Sequence, residues 1–238
     1  SILAGGSGWR WIAEPSPDRS LLAVQEDDVR VALWDLQSRT VVMRLDGQHP
    51  DGLGGLAFTP DSQGLLVGAW DDSLQMWDLS SGEVLWQAVN PAGDPNSVAV
   101  TPDGSIAIVG SERGTTSLWN AHTGDYLGEL AGHAPDLQIL GTASSPDSRQ
   151  AASASEDGTV IIWDIATREV VHRLEGHAGI VFDVSFSPDG LILASSAFDN
   201  TVILWDVETG DILRQLNGHT DFVFSVDWSP DGRRLLSA

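Results

Sequence analysis

His177, Ser195 and Asp199 are the residue types a nucleophilic hydrolase needs: a hydroxyl to attack, an imidazole to take its proton and a carboxylate to orient the ring. The same types recur as His133, Ser153 and Asp157, and six residues after each Asp stands a tryptophan, Trp205 and Trp163. Catalysis needs one such centre, so a constellation that repeats together with its tryptophan points to scaffold. Neither serine lies in the Gly-x-Ser-x-Gly turn that exposes a nucleophile, and no oxyanion-hole motif accompanies either. Metal chemistry fares no better. His133, His177 and His219 fall one to a repeat, and the chain has no cysteine to supply a thiolate. No Gly-rich loop leads from a strand into a helix, so neither a phosphate cradle nor a cofactor is expected.

The elements that must position these residues repeat about every 43 residues. Trp-Asp, once Trp-Asn, occurs at Trp34, Trp77, Trp119, Trp163 and Trp205, in steps of 43, 42, 44 and 42. Pro-Asp keeps the same phase from Pro17 to Pro230. A period of this length signals a repeat architecture. Residues 177–219 read as four short strands: Ile180 to Phe186, Leu191 to Ala197, Thr201 to Trp205 and Asp211 to Leu216. The turns between them are Ser187-Pro188-Asp189-Gly190, a two-residue hairpin at Asp199-Asn200, and Glu208-Thr209-Gly210. Helical spacing is absent. One all-β domain is expected over 1–238, with units at 5–47, 48–90, 91–131, 132–175, 176–217 and a partial 218–238.

Charge narrows the partners. There are 34 acidic residues and 12 basic ones, all of them Arg, for a formal charge of −22. Such a surface repels phosphate backbones and anionic lipid, so neither nucleic acid nor membrane is an expected partner. No apolar run approaches the roughly 20 residues that span a bilayer. The opening residues do not have the pattern of a secretory signal, and the lack of cysteine fits a reducing compartment. Cytoplasm is the expected location.

Gly-His near the start of a unit, Ser-Pro-Asp-Gly in its middle and Trp-Asp near its end resemble the WD-repeat family, and the resemblance runs along essentially the whole chain. The spelling looks like the repeats bacteria append to larger signalling proteins. The resemblance implies a β-propeller of four-stranded antiparallel blades, and a non-enzymatic scaffold or adaptor that binds a protein or peptide. Its alternative role is a sensor or autoinhibitory domain in a larger protein carrying an NTPase, protease or kinase. It also implies that His133, Ser153, Asp157 and Trp163, like His177, Ser195, Asp199 and Trp205, form a hydrogen-bonded structural network. The network is uneven: Val24 and Val67 take the Ser place, Arg113 the Asp place and Gly6 the first His place, with His49 uncertainly aligned, so those blades are expected to lean on apolar packing.

Partner contacts implied by the family fall three and five residues after the Gly-His histidine and just before the hairpin Asp. Projected here, they are Trp9, Trp11, Trp70, Ile180, Phe182, Phe198, Phe222 and Phe224, expected to form one aromatic arc in a closed ring. The acidic surround implies a partner segment mixing apolar or aromatic residues with basic ones. Phe58, Phe186 and Trp228 are expected between blades, and Trp86, on an outer strand, as a second contact. Aligned end on end, the units comprise a partial fourth strand, five complete sets and two more strands, one strand short of six blades. An incomplete ring, part of a six- or seven-bladed one, is therefore expected, its last edge pairing with further chain or another copy.

Overall fold

The computed structural model describes residues 12–26, 30–46 and 52–238, all of whose regular structure is β. Five sheets of four consecutive antiparallel strands occupy 13–46, 53–89, 95–130, 139–175 and 181–217; a two-stranded sheet, Val226–Trp228 with Leu235–Ser237, follows. Among the described residues Leu235–Ser237 pairs only with Val226–Trp228. The fourth-strand piece expected at the start of the chain, and with it Gly6, Trp9, Trp11 and His49, lies outside the described residues.

Alternation along each strand sends successive side chains to opposite faces, and both faces here are covered. Ile161 and Trp163 of the fourth sheet pack with Ile108, Leu118 and Leu130 of the third. Ile162 and Val160, one residue out of phase, pack with Val181, Val184 and Leu193 of the fifth. Equivalent clusters join the first sheet to the second, the second to the third and the fifth to the sixth. The core is thus a series of layers between neighbouring sheets, as in a propeller. Phe58 and Phe186 lie in these layers, and Trp228 packs against the layer between fifth and sixth sheets, its Nε1 donating to the Ser185 carbonyl at 3.1 Å. Trp86 is not a free contact. Its ring packs into the layer between second and third sheets and Nε1 donates to the Ala121 carbonyl at 2.9 Å, because the outer strand is close enough to its neighbour to bury one face.

Local chemistry sets the turns. In Ser187-Pro188-Asp189-Gly190 the Ser187 hydroxyl donates to Asp189 at 2.6 Å and accepts the Ile192 N–H at 2.9 Å, while Gly190, at φ +75°, donates to the Ser187 carbonyl. The same turn recurs from Ser16 to Ser229. One expected turn differs: Asp199-Asn200 is not a two-residue hairpin. Asn200 N–H reaches the Ala197 carbonyl at 3.3 Å, and the loop is Phe198-Asp199-Asn200 with Asn200 left-handed at φ +66°. Three residues are needed because the Asp199 carboxylate accepts the Thr201 N–H and hydroxyl at 3.1 and 2.7 Å and so must stand inside the turn. A β-bulge falls at the repeat tryptophan where third and fourth strands pair in every complete sheet.

Candidate functional site

The geometry of His177, Ser195 and Asp199 is that of a triad. Nδ1 of His177 lies 3.0 Å from Asp199 Oδ2, and Nε2 lies 2.7 Å from Ser195 Oγ. Ser195 also accepts the Trp205 indole N–H at 2.8 Å and has no exposed surface. The fourth sheet repeats the arrangement, with His133 at 3.0 Å from Asp157 and 2.8 Å from Ser153, and Trp163 at 2.9 Å from Ser153. One proton arrangement satisfies every atom. Nδ1–H donates to the carboxylate, the serine hydroxyl donates to Nε2, and the indole donates to the hydroxyl oxygen. Burial lowers the His177 pKa against the opposing pull of Asp199, which favours this neutral ring. Burial pushes the Asp199 carboxyl up, but hydrogen bonds from the Ala178 N–H, Thr201 and His177 outweigh it and hold the pKa below the ordinary value. A hydroxyl enclosed on all sides can meet no substrate, so the network locks a loop to its sheet.

The preceding glycine belongs to the same design. A Cβ on Gly132 would come within 2.5 Å of the Trp163 ring, and one on Gly176 within 2.9 Å of Trp205.

The third sheet corrects the expectation that sheets lacking the His-Ser-Asp set rely on apolar packing. Val109 takes the serine's place there, but its pairing partner Ser117 carries the hydroxyl, 2.9 Å from Trp119 Nε1. Asn90 stands in for the histidine: its amide nitrogen donates to Ser111 Oγ at 2.7 Å and the Gly93 carbonyl at 2.8 Å, while its oxygen accepts from Ser117 at 3.3 Å. The tryptophan indole needs an acceptor wherever it is buried, and the hydroxyl has moved one strand across to provide it. In the sixth sheet His219 pairs with Ser237 at 2.7 Å.

Of the expected contact residues, the structure brings four together. Phe182, Phe198, Phe222 and Phe224 have ring centroids separated by 3.9 Å (Phe198 to Phe222), 4.8 Å (Phe182 to Phe224), 6.2 Å (Phe222 to Phe224) and 6.5 Å (Phe182 to Phe222). Fractional exposures of 43%, 36% and 62% remain at Phe198, Phe222 and Phe224. Ile180, half-buried beside them, accepts the Phe198 N–H on its carbonyl at 2.8 Å. Trp70 makes no ring contact with this cluster and instead walls a cavity of about 450 Å³ with Asp94, Asn96, Glu112 and Gln138. Those four polar residues escaped the sequence reading, which kept only the aromatic and aliphatic contact positions; Asp94 and Asn96 stand before Pro102, and Gln138 before Pro146, as Ile180 and Phe182 stand before Pro188, and Glu112 precedes Arg113 as Phe198 precedes Asp199. Among the described residues no group of three or more His, Asp or Glu could hold a metal ion.

A model of the WD domain, G-beta repeat, matches residues 39–78, 124–164, 168–206 and 210–238, well over half of the chain. Similar curated proteins include WD repeat-containing protein 36 of Homo sapiens, 34% identical over 65 residues, 27% of this chain and 7% of that protein. Protein groucho of Drosophila melanogaster is 37% identical over 72 residues, 30% of this chain and 10% of that protein. The chain spans a tenth or less of the length of these relatives. Repeats of this kind generally build non-enzymatic scaffolds that bind proteins or peptides. Matching repeats, layered four-stranded sheets and the enclosed His-Ser-Asp-Trp networks agree, and the chain belongs to the WD domain, G-beta repeat family.

Proposed function

We propose that this chain is a protein-binding platform whose docking site is the phenylalanine cluster of the fifth and sixth sheets, and that its partner offers a short segment carrying apolar or aromatic residues flanked by basic ones. The observation that carries this reading is the association of four phenylalanines from two sheets, three of which keep a third or more of their surface exposed. Apolar surface gathered in one place and ringed by polar groups is the usual mark of a binding site, and rigid aromatic anchors lose little entropy on binding. The formal charge of −22 selects basic flanks in the partner. The family projection adds Trp9 and Trp11, which lie outside the described residues.

A second reading is that the repeats are a sensor or autoinhibitory module of a longer protein, supported by the small share of each relative that the chain matches and by a repeat spelling that resembles bacterial ones. On that reading the outer edge of Leu235–Ser237 pairs with further chain or another copy. The cysteine-free composition supports a cytoplasmic setting for either.

Co-purified partner should be lost when Phe222 and Phe224 are both changed to Ala, with affinity falling by roughly two orders of magnitude and the unfolding midpoint changing little. Undiminished capture by a folded double variant would defeat the docking assignment.

A further inference from the structure

The phenylalanine cluster fills only part of one end of the molecule. Four backbone bonds mark equivalent positions there: Trp70 N–H to Gly52 O, Glu112 to Asp94, Glu156 to Gln138, and Phe198 to Ile180, at 2.8 to 3.0 Å. Trp70, Glu112, Glu156 and Phe198 therefore occupy one station on successive sheets, and Asp94, Gln138 and Ile180 another. Stations that are aromatic or aliphatic in the fifth sheet are acidic or amide in the third and fourth. The cavity of about 450 Å³ lies where these polar stations meet Trp70, lined by Trp70, Asp94, Asn96, Glu112 and Gln138.

We infer that this cavity is a receptor for a guanidinium, the side chain of an arginine in the bound partner, seated against the Trp70 ring and hydrogen-bonded by Asp94 and Glu112. Its chemistry fits each part of that group. A planar cation stacks on an indole face, and its fork of N–H donors matches carboxylates, whereas an ammonium offers a point charge. Asn96 Nδ2 donates to Gln138 Oε1 at 3.2 Å, which joins the two amides that line the cavity. Among the described residues no cation lies within 4.0 Å of the Asp94 carboxylate, whose Oδ1 accepts the Asp72 N–H at 3.2 Å. Among the described residues the cation beside Glu112 is Arg113, at 3.7 Å and largely exposed. Burial raises the Asp94 pKa, and the charges of Glu112 and Asp72 push it the same way against the Asp72 N–H bond, so an entering cation relieves repulsion already present.

The test uses the whole chain with N-acetylarginine amide as probe, following the Trp70 indole N–H resonance, assigned through Trp70→Phe. Expected is a saturable shift at millimolar probe, absent with the uncharged citrulline analogue, weaker with the lysine analogue and about tenfold weaker in Asp94→Asn or Glu112→Gln. Phe222→Ala with Phe224→Ala should leave it unchanged, which separates this site from the phenylalanine docking. No saturable shift, an equal shift with citrulline, lysine binding as tightly as arginine, or indifference to both charge-removing variants would each overturn the assignment.

Discussion

At the residue scale the protein shows that a Ser-His-Asp geometry is not a reactivity. Distances of 2.7 and 3.0 Å around His177 would serve a hydrolase, but Ser195 has no exposed surface and its oxygen already accepts the Trp205 indole N–H. Two polar groups, His177 Nε2 and the Trp205 indole, meet at the Ser195 hydroxyl, so removing it strands both at once. Ser195→Ala should lower unfolding free energy by about 3 kcal/mol, measured by urea denaturation, and leave partner binding at the phenylalanine cluster unaltered. Loss of binding without loss of stability would mean that the hydroxyl acts elsewhere. Repetition pointed to scaffold, and the family resemblance named the network's members. The third sheet's version was not legible, because Asn90, Ser111 and Ser117 share neither the types nor the spacing of the set they replace, and only proximity relates them.

At the element scale, sheet and turn are held by glycines of two kinds. Gly190 is needed for its conformation: at φ +75° a Cβ meets nothing closer than 3.4 Å, so the cost of a side chain is backbone strain. Gly132 is needed for space, since its Cβ would enter the Trp163 ring. Gly190→Ala should therefore cost about 1 kcal/mol, and Gly132→Ala about 2 to 3 kcal/mol with perturbed Trp163 fluorescence. Equal costs for the two in chemical denaturation would contradict this distinction. Both glycines recur in the repeat and were visible in sequence; the reason for each was not, because one depends on a dihedral angle and the other on a ring contributed by a different strand.

At the scale of the whole molecule, acidic side chains on the inner strands of different sheets feel one another. Glu14, on the first strand of the first sheet, has its pKa raised to about 7 by burial and then by the charges of Asp227 and Asp183, on the first strands of the sixth and fifth sheets. A carboxyl raised in the folded state binds more protons folded than unfolded, so its contribution falls as pH rises from about 4.5 to 7. His177 and Asp199 have the opposite sign. Both pKa values are lowered by folding, so their stabilisation is complete above about 6.5 and 4 respectively and is lost as pH falls below those values. Glu14→Gln should raise stability by roughly 1 to 3 kcal/mol at pH 8 and far less at pH 4.5, read from thermal unfolding across pH; a gain that does not depend on pH would contradict the charge coupling. By itself the sequence determined the period, the strands, the Ser-Pro-Asp-Gly turns and the family, because these rest on residues near one another in the chain. Which side chains from different sheets meet was decided by tertiary structure: that the phenylalanines cluster without Trp70, that Trp70 instead walls a cavity with carboxylates, Asn90 on Ser117, and Glu14 against Asp183 and Asp227. Stacking the sheets brings together residues more than two hundred positions apart, and no local pattern records that distance.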